Sequence, residues 1–243
     1  MVSVWGLTDK GIVRRENQDS CAYETIPERG LAWGVVCDGM GGAKAGDIAS
    51  KLAVETFRTH LEDLRGPDLP GETGKLLLAA AEDANRVVYH KASTDDDCIG
   101  MGTTLVGLIL QGETLEVVNV GDSRAYLIRP DGIRRITRDH SVVEDLIANG
   151  DLTPEQARRH PQKNLITRAL GTSPRVKADL FQETVAPGDA LLLCSGLINE
   201  VTDQEIQKEV LAGGSPQEIC QRLVARTLDH GAPDNVTVVL FQL

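Results

Sequence analysis

Four aspartates in this chain stand where an apolar run begins or ends, and carboxylates placed that way can share a cation. Asp38 follows the run 31–37 and leads straight into Gly39-Met40-Gly41-Gly42. Asp122 follows a β-branched run at 114–120 and precedes Ser123. Asp19 closes a polar turn and opens the run 20–26, and Asp234 sits in Gly231-Ala232-Pro233-Asp234-Asn235 just before the last run. Carboxylates gathered without a cation repel strongly. If these strand ends meet, divalent metals are the natural compensation. Oxygen-only ligands, with no His or Cys beside them, favour Mg²⁺ or Mn²⁺ over Zn²⁺. The glycines after Asp38 permit positive φ and let the backbone approach closely. The stretch is not a P-loop, because no Lys-Ser/Thr follows and the spacing is not G-x-G-x-x-G. Taken alone, it is equally well a tight strand-to-helix turn with a solvated Asp.

The elements that would position these acids are legible in outline. Runs at 2–8, 20–26 and 31–37 read as strands. From 47, apolar residues recur at Ile48, Leu52, Ala53, Phe57, Leu61 and Leu64, the period of a helix with one buried face. A second helix begins near Gly74, with Leu76, Ala80, Ala84 and Val88 on one stripe. Asp95-Asp96-Asp97 reads as solvated loop. Strands follow at 103–110, 114–120, 125–128 and 133–137, the last two joined by a turn at Pro130-Asp131-Gly132. Residues 139–172 break that rhythm, with a helix over 142–148 and a capping box at Thr153-Pro154-Glu155-Gln156. Strands resume at 178–184 and 190–194. Capping boxes at Thr202 and Ser215 open two more helices, and a strand over 236–242 ends the order. Helix pairs early and late, with strands between, predict an α+β fold: two packed antiparallel sheets with helix pairs outside them. One domain, 1–243, is expected, with a flap-like insert at about 139–172.

Composition narrows the function. The chain has 243 residues and a formal net charge of −11. That argues against nucleic acid, whose phosphates require Lys and Arg, and against an anionic membrane surface. The five cysteines are widely spaced with no C-x-x-C, so neither zinc nor a disulfide framework is indicated. There is no signal-peptide pattern and no apolar run long enough for a bilayer, so a cytoplasmic location is expected. His140 and His160 are either ligands or hydrogen-bonded structure. His60, His90 and His230 read as surface.

In order along the chain stand Arg14-x-x-Asn17-Gln18-Asp19, Val36-Cys37-Asp38-Gly39-Met40-Gly41-Gly42, Met101-Gly102-Thr103-Thr104, Val120-Gly121-Asp122-Ser123-Arg124 and Gly231-x-x-Asp234-Asn235-Val236-Thr237. Thr137-Arg138-Asp139-His140-Ser141 and the run from His160-Pro161 to Leu170-Gly171 also fit. This series resembles the metal-dependent serine/threonine protein phosphatases of type 2C, in their short bacterial form, over essentially the whole chain. The resemblance implies an α-β-β-α sandwich and hydrolysis of phosphoserine and phosphothreonine on proteins, using two or three Mn²⁺ or Mg²⁺ ions. It implies that Asp38 bridges two metals, with the Gly39 carbonyl on the second. Asp234 would bind the first metal and Asp122 a third, weaker one. Asp19, and more weakly Gln18 and Asn235, would hold metal waters, while Arg14 grips the phosphate. Two dications about 3.5–4 Å apart can acidify a water and shield phosphoryl charge during in-line attack. Arg offers phosphate a two-pronged fit. Where some relatives have a His after Asp-Gly, this chain has Met40, so a water must protonate the leaving group. Partners would be phosphoproteins made by a serine/threonine kinase, met by a monomer.

One departure stands out. The family pattern Ser-Asp-Gly-Leu reads here as Cys194-Ser195-Gly196-Leu197, as if the Asp were deleted. In relatives that Asp binds the first and third metals. Asp189 lies at the other end of the strand, about 16–20 Å away, and Glu200 is the nearer replacement. The alternative is therefore a phosphatase fold with an impaired metal site that acts as a phosphoprotein-binding module. A related small-molecule phosphatase is a third reading.

Overall fold

A computed structural model of the chain describes residues 1–41, 45–66, 72–196 and 201–243. Its elements are β1 (Ser3–Asp9), β2 (Asp19–Ile26), β3 (Leu31–Met40), α1 (Ala45–Leu61), α2 (Thr73–Thr94), β4 (Gly102–Thr103), β5 (Leu105–Gln111), β6 (Thr114–Val120), β7 (Arg124–Arg129), β8 (Gly132–Arg135), α3 (Val142–Ala148), α4 (Pro154–Arg158), β9 (Asp179–Thr184), β10 (Ala190–Ser195), α5 (Asp203–Leu211), α6 (Pro216–Asp229) and β11 (Val236–Gln242). One antiparallel sheet runs β1-β11-β10-β7-β8. The other runs β2-β3-β5-β6-β9, with β4 paired to the end of β3. The expected sandwich is what forms.

Two-residue alternation explains why the central strands read as continuous apolar runs. Along β3, Trp33, Val35 and Cys37 face α1 and α2, while Ala32 and Val36 face the second sheet. Along β11, Val238 and Leu240 face α5 and α6, while Val239 and Phe241 fill the space between the sheets. Both faces are buried, so both sets of positions must be apolar. Gly34 is needed where the sheets meet: a Cβ there would stand 2.7 Å from the Phe241 ring. All three capping boxes, at Thr153, Thr202 and Ser215, are made in full. Among the described residues no helix is long and apolar enough to cross a membrane.

Two boundaries differ from expectation in ways that matter for the site. The strand expected over 31–37 continues to Met40, because Gly39 and Met40 pair with Thr103 and Gly102 of β4. Asp38 therefore lies inside a strand, directly opposite Asp19 on β2. The segment expected to stand apart over 139–172 carries α3 and α4, but its ends are woven into the body. Asp139, His140 and Ser141 are buried, and Thr103 and Leu170 exchange two backbone hydrogen bonds of 3.1 and 2.8 Å.

Candidate active site

Asp38, near the end of β3, shares one cleft with Asp122 between β6 and β7 and Asp234 ahead of β11. The Asp38 N–H donates to Thr104 Oγ1 at 2.9 Å, and the Asp38 carbonyl accepts from Thr103 Oγ1 and from the Thr104 N–H, each at 2.9 Å. Thr104 Oγ1 also meets Ser123 Oγ at 2.7 Å. One threonine thus links the backbone of Asp38 to the residue after Asp122. Gly39 must be glycine, since a Cβ would fall 2.0 Å from the Gly46 carbonyl oxygen where β3 crosses the start of α1. Gly11 must be glycine where the loop after β1 presses on the Asp234 carbonyl. Its φ is +75° and a Cβ would stand 2.1 Å from that oxygen.

Asp19 lies behind Asp38 and is buried. Its Oδ2 accepts from Ser195 Oγ and Thr237 Oγ1, each at 2.6 Å. Asn17 Nδ2 donates to Thr8 Oγ1, which meets Thr237 Oγ1 at 2.7 Å, so a polar chain runs from the β1–β2 loop to Asp19. Asp19 Oδ1 is buried and accepts from no fixed donor. Burial, with a contribution from Asp234, lifts Asp19 to about 6 against the two hydroxyls that lower it. Burial first, then Asp19, Asp122 and Asp234, push Asp38 well above the ordinary carboxylate range. Burial and Asp139 lift Asp122 to about 6, partly offset by Arg124.

Arg14, Gln18, Asp38, Gly39, Asp122 and Asp234 line one cleft of about 260 Å³. Asp234 Oδ2 takes a 2.8 Å ion pair from Arg14, and its Oδ1 accepts from the Asn235 N–H. Among the described residues no three His, Cys, Asp or Glu side chains converge as a ready-made coordination sphere. Asp234 is turned to Arg14, and Asp19 Oδ2 is held by two hydroxyls. The donor set still fits a hard dication: several carboxylates, a backbone carbonyl and a buried oxygen without a donor. Asn235, expected as a water ligand, spends its side chain on the backbone. Its Oδ1 accepts from the Gln18 N–H at 2.9 Å, and its Nδ2 donates to the Lys10 and Glu16 carbonyls at 2.8 and 2.9 Å. It fixes the loop that carries Gln18 and Asp19. Glu200 lies outside the described residues. Asp189 is bound to Arg129 at the far end of β10, as its position implied.

Ser195 and Gly196 flank the position where the resemblance led us to expect an Asp. Gly196 lines the cleft with φ +60°, and a Cβ there would stand 2.0 Å from the Asn235 carbonyl oxygen. Ser195 is committed to Asp19. Residues 164 and 166 of the inserted segment, Asn164 and Ile166, also line the cleft. A neighbouring cleft of about 320 Å³ shares Asp122 and runs under α3 and α4. There Arg124 holds Asp139 in a bidentate pair. Thr104, Ser195 and Thr237 stand in the motifs without a role of their own there, and the Ser195–Asp19 contact spans 176 residues. His140 proves to be hydrogen-bonded structure, its Nδ1 accepting from the Gly121 N–H.

A family model for Protein phosphatase 2C matches residues 13–220. The chain is 34% identical over 237 residues to the serine/threonine phosphatase stp of Listeria innocua, covering 97% of this chain and 93% of that one. The solved serine/threonine phosphatase PstP/Ppp of Mycobacterium tuberculosis is similar at 36% identity and a TM-score of 0.89, covering 100% of this chain and 98% of that one. A PstP catalytic domain solved in complex with two manganese ions is similar at 34% identity and a TM-score of 0.87, covering 99% and 97%. The sandwich, the ordered motifs and these likenesses agree: the chain belongs to the protein phosphatase 2C family of metal-dependent serine/threonine protein phosphatases.

Proposed function

We propose that this chain hydrolyses phosphoserine and phosphothreonine on proteins, acting as a monomer on products of a serine/threonine kinase. Asp38, the Gly39 carbonyl and Asp234 would hold two Mn²⁺ or Mg²⁺ ions, and Asp122 a third, weaker one. The observation that carries this reading is the gathering of acids at Asp38: Asp122 and Asp234 line the same cleft and Asp19 faces it across the strand pair. Burial and these three acids push Asp38 up. A site built that way gains most from dications. Bound dications would supply charge neutralisation at the phosphoryl group and a water acidic enough to attack it near neutral pH.

The chain's own residues supply the rest. Arg14 is the one cationic side chain lining the cleft among the described residues. Its planar fork matches phosphate oxygens, so it orients the phosphoryl group. Asp19 and Gln18 bound the water positions, and the hydroxyls of Ser195 and Thr237 hold Asp19 in place. Met40 lines the cleft and offers no proton, so the departing alkoxide takes one from water. The matched relatives carry phosphatase names, which supports catalysis over the alternative of an inactive phosphoprotein-binding module.

Phosphate release from a phosphothreonine peptide tests the reading. Release should require Mn²⁺ or Mg²⁺ and stop on chelation. Tight peptide binding without release at saturating Mn²⁺ would favour the binding module instead.

A further inference from the structure

We infer that His140 is a positioning residue for Asp122, gripping the Gly121 peptide ahead of that carboxylate from both sides with one fixed tautomer. The inference rests on the metal-dependent reading above. His140 is buried, 5% exposed. The Gly121 N–H donates to His140 Nδ1 at 3.0 Å, and the His140 N–H donates back to the Gly121 carbonyl at 2.9 Å. Asn119 Nδ2 adds a third bond to the same carbonyl at 3.2 Å. Both polar groups of Gly121 are therefore held by His140.

Gly121 needs such a hold. Its φ is +108°, and a Cβ there would collide with Thr104 Cγ2 at 2.6 Å, so it carries no side chain to anchor it. Glycine backbone is otherwise pliant, and Asp122 would swing with it. Because Nδ1 accepts, the single proton of the neutral ring sits on Nε2. That nitrogen faces Asp179 Oδ2 at 3.1 Å. Arg168, itself 3.0 Å from Nε2, donates to Asp179 Oδ1 at 2.9 Å and steadies the carboxylate. The His140 carbonyl accepts from the Thr167 N–H at 2.8 Å, so the same residue ties down the end of the inserted segment.

Two conservative variants separate this role from plain packing. In His140→Asn the amide oxygen can stand where Nδ1 stands and accept from Gly121, but nothing reaches Asp179. In His140→Gln the amide nitrogen can stand where Nε2 stands and reach Asp179, but Gly121 loses its acceptor. Three quantities are measured: hydrogen exchange at the Gly121 amide in the metal-free protein, the weakest Mn²⁺ affinity by calorimetry, and kcat and KM on a phosphopeptide. His140→Asn should keep Gly121 protected and the Mn²⁺ affinity within about threefold of wild type. His140→Gln should expose Gly121 to exchange at least about tenfold faster and weaken that affinity about 10-fold or more, the usual loss when a residue behind a ligand is removed. Its kcat should fall at limiting Mn²⁺ and recover at excess, with KM unchanged. Equal behaviour of the two variants overturns the assignment, as does wild-type Gly121 exchange in His140→Gln. If either variant does not fold, Asp179→Ala replaces it, because it removes the acceptor that keeps the ring proton on Nε2. Gly121 exchange and Mn²⁺ affinity must then both shift, and wild-type values for both overturn the role. If the wild-type protein binds no Mn²⁺, the functional reading falls, while Gly121 exchange still decides the clamp.

Discussion

Asp19 and Asp38 stand directly opposite each other on β2 and β3. Two acids facing across a strand pair, both raised by burial, oppose folding once ionised. The direction of the pH effect follows. A carboxyl whose folded pKa lies above its unfolded value, near 3.9, binds more protons in the folded state. It is neutral in its effect well below pH 4 and costs stability progressively as pH rises through about 6, where Asp19 and Asp122 titrate. Asp38→Asn removes one member of the cluster. In the metal-free protein at pH 7.5 it should raise Tm by at least about 4 °C, given about 2–4 °C per kcal/mol at this chain length. The gain should vanish near pH 4. A metal-free Asp38→Asn protein that melts lower than wild type at pH 7.5 would contradict this electrostatic account.

Arg14 and Asp234 form an exposed ion pair in the cleft. Arg14 is proposed to bind phosphate, and its present partner is a proposed metal ligand. Arg14→Ala should raise KM for a phosphopeptide about 10-fold or more, the loss of a hydrogen bond to a charged group being about 1.5–3 kcal/mol. Mn²⁺ affinity should hold or improve, because a competitor for Asp234 is gone. Unchanged KM with weakened Mn²⁺ binding would remove Arg14 from its role.

The inserted segment places Asn164 and Ile166 at the catalytic cleft and Arg158 and Lys163 at its neighbour. Loops on a rigid scaffold commonly carry specificity. Changing Arg158 and Lys163 together to Gln should alter the ranking of acidic against neutral phosphopeptides. Hydrolysis of a small aryl phosphate should stay within about twofold, since the catalytic acids are untouched. Equal losses on both kinds of substrate would show that the segment supports catalysis and does not select peptides.

Much of this architecture was legible in the sequence because local signals and burial agree. The capping boxes at Thr153, Thr202 and Ser215 opened helices where expected, and β11 begins and ends where its apolar run does. The placement of Asp38 within a strand was not legible, since it depends on pairing with β4, more than sixty residues on. The resemblance implied that Asn235 holds a metal water. Its three backbone hydrogen bonds come from a loop more than two hundred residues earlier. The tying of the inserted segment's ends into the body was not legible for the same reason. Asp139 and His140 are polar letters, and only the fold shows that Arg124 and Gly121 bury them.

The turn at Ser195 and Gly196 is where the resemblance leads one to expect a further acid. Gly196 lines the cleft, and a Cβ on it would stand 2.0 Å from the Asn235 carbonyl oxygen, so the glycine itself must be kept. Inserting Asp between Ser195 and Gly196 adds an oxygen ligand and a negative charge. Both Mn²⁺ affinity and kcat should rise. If the protein as it stands already matches the insertion variant in both, another group supplies the ligand, with Glu200 the first to test.

The central claim is that Asp38 is shared between two dications. Mn²⁺ binding followed by electron paramagnetic resonance, on wild type and Asp38→Asn side by side, tests it most directly. Wild type should take up at least two ions with the signature of a coupled pair. Asp38→Asn should lose that coupling, bind at most one ion tightly, and release no phosphate from a phosphopeptide while remaining folded. Two coupled Mn²⁺ ions and near-normal turnover in Asp38→Asn would contradict the account.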